Sequence, residues 1–594
     1  MRHIFTFLFA VMGSVMLFAQ QDKAQYNDLF YRLNPSDMTA EVAENPAAVD
    51  EIVIPETIEV GQETYTVTEI GAKAFKGCKK LNEVVIPSTV QLIDRTAFDG
   101  TGVMLNKEKW ANGALIIDGC LIATNKSIKA KYEVPTDVRI IAAGAFENNK
   151  TVTNVILHNA LTRIDHDTFK GCKNLTKITI PESVTFIGED AFTDCGIYLN
   201  EKKWKRGSLF ISNCLIRVND NAPAKYVFKT KEPTRLIAAG AFAKNKKITT
   251  ITIPEGIEEI PSAAFYHCEM LQTVVCPQSL KRIGMYAFYE CGKLQQISQF
   301  DNVEEIGGGA FYGCTQLVQP VLTNKMQVVP KGCFFTCLQF AALTIPEGIR
   351  VIEDAAFSGC TGIDEITFPN SLEVIGDMAF AGCNKLKMLK IPAKVNKLGR
   401  GAFRDCTQLF SVTLPSELYA IDDEAFALCI LLEKVAFPKE LFRIGKKAFL
   451  DCKSLRSVSF GERLNAIEDE AFKNCVLLED VQLPDQMEVL RQHAFAGCTG
   501  LRKLSLGDKI ENIGDFAFNG CRSLQEVKMP AHLKEIGIRA FAECKYLTKI
   551  VWPEDLELEY IAQEAFLNCE RLAIPELDEY VEYGKSVFKG CKQE

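Results

Sequence analysis

Leu386-Lys387-Met388-Leu389-Lys390-Ile391-Pro392, followed by Val395, Leu398, Ala402-Phe403 and Cys406, is the stretch that decides the fold. The next 23 residues repeat it as Leu409, Val412, Leu414-Pro415, Leu418, Ile421, Ala425-Phe426 and Cys429. Leu389 and Ile391 lie two apart, so on a strand they share one face. Pro392 has no N–H to give to a ladder and should end that strand. Phe403 and Cys406 are three apart, as on one side of a helical turn. Each unit therefore reads as a strand, a turn and a short helical or irregular return.

Measured between the repeat phenylalanines, the period does not vary over most of the chain. From Phe242 through Phe265, Phe288 and so on to Phe541, the interval is 23 residues thirteen times in succession. The series extends back through Phe192, Phe169, Phe146, Phe98 and Phe75, and forward to Phe566 and Phe588, giving about 21 units. One unit cannot bury its own apolar face, whereas stacked units can. A single insertion would push every inward side chain out of its column. The prediction is an α/β solenoid, an array of about 21 units of 23 residues, over residues 61–594.

Two intervals break the rule. Phe98 to Phe146 is 48 residues and Phe192 to Phe242 is 50, and both carry a similar insert. The first reads Trp110, then Gly113 to Ile122 with Asp118-Gly119 at its middle. The second reads Trp204, then Gly207 to Ile216 with Ser212-Asn213. Asp-Gly between two apolar runs signals a hairpin, so a β-hairpin is expected in each insert, at about 100–142 and 194–238. The second insert is basic at Lys202, Lys203, Lys205 and Arg206. Residues 20–60 lack the repeat. Strand-like stretches near Leu29–Leu33 and Glu51–Pro55 suggest a small β cap over the first unit.

The Leu-x-x-Leu-x-Leu segment resembles the strand of a leucine-rich repeat. The whole unit, Ala-Phe-x-x-Cys-x-x-Leu-x-x-Val-x-Ile-Pro-x-x-Val-x-x-Ile-Gly, is similar to the BspA-type repeat. The opening Tyr65-x-Val67-Thr68-x-Ile70-Gly71-x-x-Ala74-Phe75 resembles the start of arrays in that family. The likeness covers about 61–594. It implies a binding scaffold on a bacterial or protist surface or secreted from it, with adhesion to host matrix proteins and coaggregation among the activities of the family. It carries no catalytic residues.

The amino terminus reads as an address. Arg2 precedes an apolar stretch from Ile4 to Ala19, with polar residues from Gln20 onward. This is the pattern of a secretory signal, residues 1–19, and it is short for a bilayer span of about 20 residues. The expected location is secreted or at the cell surface, with the periplasm as the alternative, and without a transmembrane span. Lys+Arg is 67 against Asp+Glu 76, a net charge of −9, which argues against a nucleic-acid partner.

Of the 22 Cys, 18 follow a repeat Phe by three. An even count in an exported chain invites disulfides, but a column of side chains pointing one way favours free thiols filling the core. No Cys-x-x-Cys, His-Glu-x-x-His or Gly-x-Ser-x-Gly occurs. No metal, cofactor or catalytic residue is therefore expected.

Two surfaces are candidates for a partner. The residue after the repeat Phe should point outward, and in four consecutive units it is Tyr266, Tyr289, Tyr312 and Phe335, with Tyr286 nearby. The outward strand face over the same units is uncharged, with Thr250, Thr273 and Gln296 at its centre. The leading expectation is a non-enzymatic scaffold binding a protein ligand of extracellular matrix or of another cell surface. The alternatives are a carbohydrate-binding accessory protein and a self-assembling structural protein.

Overall fold

The computed structural model describes residues 23–592 except 36, 229–231 and 578. The signal segment 1–19 lies outside the described residues. Contacts divide the chain into two compact units, Met1–Ala222 with Thr230–Ala241, and Pro223–Lys229 with Phe242–Glu594.

In the second unit most coils carry two short parallel strands. The first holds a buried side chain between two outward ones, as in Met388–Lys390, Ser411–Thr413 and Lys434–Ala436. These strands pair in register 23 apart, Leu389 with Val412 and Val412 with Val435. Eight of them form one sheet from Met388–Lys390 to Lys549–Val551, and a second eight-stranded sheet runs from Ala420–Ile421 to Glu582–Tyr583. Pro392 stands just past the first strand, as a residue without a donor must. The same chemistry interrupts the earlier ladder. Pro320 falls where Ile297 and Leu343 sit at the centres of their strands, and no strand forms there.

The return arm is the irregular of the two expected forms. Among the described residues α-helix is confined to Gly102–Leu105 and Gly196–Leu199, so the architecture is a β-solenoid rather than a helix-backed one. The reason is local. The second residue before and the second after the repeat Phe both adopt left-handed backbone, as at Glu424 (φ 59°) and Leu428 (φ 63°) around Phe426. Glycine meets this demand at Gly401 (φ 60°) before Phe403 and Gly382 (φ 74°) after Phe380. The strained positions are held by bonds between coils. Phe265 N–H donates to Ala287 O at 2.7 Å, and Phe288 N–H to Ala310 O at 2.7 Å.

Those bonds fix the repeat phenylalanines into a column. From Phe242 to Phe541 each is fully buried. Successive ring centroids are 4.7 Å apart at Phe242–Phe265 and 5.8 Å at Phe403–Phe426, with nearly parallel planes. Beside them runs the thiol column. All 22 cysteines are free, and Cys591 alone is not fully buried. From Cys268 onward the thiol after each repeat Phe donates back to the Phe carbonyl of the preceding coil, as Cys291 to Phe265 O at 3.0 Å and Cys429 to Phe403 O at 3.2 Å. Burial pushes these thiols up, Cys498 to about 12.

In the first unit the two inserts repeat one another. Ala114–Ile117 pairs antiparallel with Cys120–Thr124, and Ser208–Ile211 with Cys214–Val218. The far strand of each pair lies parallel to the next coil, Cys120 against Ile140 and Cys214 against Leu236. The hairpin thus stands where a coil would. A regular strand-end N–H donates to the next coil, as Ile391 to Thr413 O at 3.0 Å. Before the inserts a side chain substitutes, with Ile86 N–H donating to Asp118 Oδ2 at 2.8 Å and Ile180 N–H to Ser212 Oγ at 3.0 Å. Arg139 and Arg235 bind the carbonyls of the preceding proline turns, at Pro87 and Val90 and at Pro181 and Val184. The cysteine of the coil after each insert is replaced by Asn149 or Asn245, which accepts from the N–H groups of its own turn.

The residues before the first coil supply it with partner strands. Thr39–Val42 pairs parallel with Glu63–Ile70, and Asp50–Val53 with Leu81–Val85. An acidic group gathers beside these strands. Glu69 is pushed up to about 7 by burial and by the charges of Glu41, Asp94 and Asp165, with Arg163 opposing. Glu41 and Asp165 are also raised, chiefly by burial, although Arg32 and Arg163 pair with them.

Three outcomes follow from this packing. Phe403→Ala removes one ring from a closed column and should cost about 3–5 kcal/mol in urea unfolding; a cost under about 1 kcal/mol would contradict the column. A thiol reagent at neutral pH should modify no more than Cys591 on the native chain and all cysteines after denaturation. Glu69 keeps a proton in the folded state that the unfolded chain gives up from pH about 4.5. Stability of the first unit should therefore fall as pH rises from about 4.5 to 7 and then level off. Glu69→Gln should flatten part of that slope in thermal melts; an unchanged slope would refute the assignment.

Candidate functional site

The aromatic column lies within the second unit and is real as a stack. Tyr266 and Tyr289 have centroids 5.1 Å apart at 13°, Tyr289 and Tyr312 4.7 Å at 14°, and Tyr312 and Phe335 4.6 Å at 8°. The backbone ladder of the return arm sets this spacing, with His267 N–H donating to Tyr289 O and Glu290 N–H to Tyr312 O. The three tyrosines are half-buried. Desolvation pushes the Tyr289 hydroxyl up to about 12, helped by Tyr312 and Glu290.

Phe335 departs from the outward placement expected for it. It is 4% exposed. The expectation rested on a helical turn placing the next residue about 100° away. On the actual return, left-handed residues flank the repeat Phe, so the following side chain lies along the coil edge against its neighbours. Phe335 therefore backs the stack, with Tyr312 lying on its ring, and offers no surface of its own. In the next coils the same position is Ser358 and Ala381, both buried.

Tyr286 reaches the stack from a different position, two residues before its repeat Phe. It is 46% exposed and meets Tyr289 edge-on at 5.5 Å. Its ring lies over Gly309, where an added Cβ would come within 2.5 Å of Tyr286 Cε1. The Gly307-Gly308-Gly309 run thus makes room for Tyr286, a relation that sequence order does not show.

Thr250, Thr273 and Gln296 stand directly opposite one another on adjacent parallel strands, Thr250–Thr252, Thr273–Val275 and Gln296–Ser298. Their exposure alternates with the buried Ile251, Val274 and Ile297. The row ends at Pro320. The candidate residues thus form two columns on the same group of coils: a strand row of small polar groups, and a return-arm column of stacked rings.

Neither column holds acid, base and nucleophile in one place. Among the described residues no group of three or more His, Cys, Asp or Glu side chains has the arrangement of a metal site. Among the same residues no helix is long and apolar enough to cross a membrane. Both columns can offer shape, ring edges, hydroxyls and amides to another surface.

No curated protein matches the chain. Among solved structures, a leucine-rich repeat protein from Bacteroides ovatus is 22% identical, covering 90% of this chain and 95% of its own, with a TM-score of 0.33. A leucine rich cell surface protein from Faecalibacterium prausnitzii is 18% identical, covering 89% and 94%, with a TM-score of 0.30. The pneumococcal vaccine antigen PcpA is 14% identical over 95% and 93%, with a TM-score of 0.23. The profile of the BspA type leucine rich repeat region matches residues 52–113, 68–198, 235–363, 327–456 and 465–594. With the repeat matched over most of its length, the chain belongs to the BspA-type leucine-rich repeat family.

Proposed function

We propose that this protein is an exported, non-enzymatic scaffold that binds a protein ligand of extracellular matrix or of another cell surface. The observation that carries this reading is the coincidence of the two columns. On the coils between Thr250 and Tyr312 the strand row is uncharged and the return arm presents tyrosines, while later strands carry charges such as Lys434, Asp480, Lys503 and Glu526. Tyrosine-rich patches with few charges suit protein contact.

The stacking also bears on the carbohydrate alternative. Sugar rings pack on open aromatic faces, and in this column both faces of Tyr289 and of Tyr312 are taken by neighbouring rings. What remains are edges and hydroxyl groups, which suit a polar protein surface. Tyr286 stands apart as the exposed ring, and Tyr266, Tyr289 and Tyr312 form the supporting surface. Secretion rests on the amino-terminal signal pattern and on the surface location common in the family.

Tyr266, Tyr289 and Tyr312 changed together to Ala should lower retention on immobilised matrix proteins about tenfold or more, with unfolding midpoints tracked as control. No retention of the wild type on any matrix protein, or equal retention of both proteins, would defeat this reading. Loss of glycan-array binding in the same variant, without loss of matrix binding, would transfer the site to carbohydrate.

A further inference from the structure

The two inserts are equivalent at an offset of 94 residues, which makes each a control for the other. Trp110 matches Trp204, the turn Lys107–Lys109 matches Glu201–Lys203, and the strand pairs match residue for residue. Both indole N–H groups donate to the same backbone position, Met104 O at 3.0 Å and Tyr198 O at 2.8 Å. The loop frames are therefore alike, and their charges are not.

In the first insert Lys109 forms an ion pair with Glu83 of the preceding coil. The equivalent residues in the second are Lys203 and Lys177, two cations. Ala111 and Asn112 of the first become Lys205 and Arg206. The second insert thus presents Lys177, Lys202, Lys203, Lys205 and Arg206, all exposed, with Glu201 the acid among them. Among the described residues none of the five makes an ion pair. Arg206 occupies a left-handed turn position (φ 51°) where the first insert has Asn112 (φ 51°). Asn tolerates that backbone better than a long side chain does. The chain carries net negative charge, so a concentration of unpaired cations on a braced loop runs against its average.

We propose that the second insert is a binding site for an extended saccharide bearing sulfate or phosphate groups. Cations exposed on a turn and an adjoining strand, outside any recess, suit a linear polymer that touches several at once rather than a small anion. The number of cations is small for duplex nucleic acid, whose binding rests on many phosphate contacts. Trp204 holds the loop in place through its indole N–H, so the ligand meets a preformed array.

The test uses the full chain and heparin at about 0.15 M salt. Heparin should bind, and affinity should fall steeply with added salt. Lys202, Lys203, Lys205 and Arg206 changed together to Ala should weaken it about tenfold or more. Lys107 and Lys109 changed to Ala should leave it within about twofold. A transplant reads independently of any folding defect in the quadruple variant: Glu83→Lys with Ala111→Lys and Asn112→Arg should add a second heparin site of similar affinity. Desulfated heparin should not bind; a phosphorylated glycan of equal length then distinguishes phosphate from sulfate as the preferred group. No heparin binding by the wild type, an unweakened quadruple variant, or duplex DNA bound as tightly as heparin would each overturn the proposal.

Discussion

Everything in this solenoid depends on one bond made again and again between coils. The N–H of a repeat phenylalanine donates to the carbonyl of the residue, in most coils an alanine, that precedes the next one. The bond forms only if each coil returns to the same point, and the last coils do so with 25 and 22 residues, Phe541 N–H donating to Ala565 O at 2.8 Å and Phe566 N–H to Val587 O at 3.0 Å. The 23-residue coil is the form that closes these bonds over most of the chain, and buried backbone groups left unpaired would be costly. The ring column, the thiol column and both strand ladders inherit their spacing from it.

That dependence explains which residues change where the period breaks. Ahead of each insert the missing coil's carbonyl is replaced by Asp118 or Ser212. Behind each insert the column cysteine gives way to Asn149 or Asn245, whose carboxamide oxygen accepts from the N–H groups of its own turn. Arg139 and Arg235 bind the turn carbonyls of Val90 and Val184, a place that serine hydroxyls take between regular coils, as Ser279 on Ile257 O and Ser371 on Ile349 O. The cysteines themselves need no oxidative role to account for their frequency. A small buried side chain with one weak donor fits a column that offers one acceptor per coil.

The candidate surfaces were legible to different degrees. The strand row at Thr250, Thr273 and Gln296 follows directly from two-residue alternation plus a fixed period, and the strands pair these residues in register. The tyrosine stack could be read as a column for the same reason. Its exposure could not. Phe335 is buried because the return arm is a chain of turns with left-handed residues. Glu424, Leu428 and Tyr286 give little sign of that backbone, although Gly382 and Gly401 hint at it. Tyr286 over Gly309 and Lys109 paired with Glu83 are contacts between coils, visible only once the stacking offset is known.

The sequence by itself determined the period, the strand face, the inward columns and the two interruptions. All of these are one-dimensional: a repeat length, an alternation of two, and a proline without a donor. Only the tertiary structure decided the form of the return arm, the hydrogen-bond acceptor of each thiol and the exposure of each ring. Those depend on what the neighbouring coil places a few ångströms away, and a coil's own residues do not specify its neighbour.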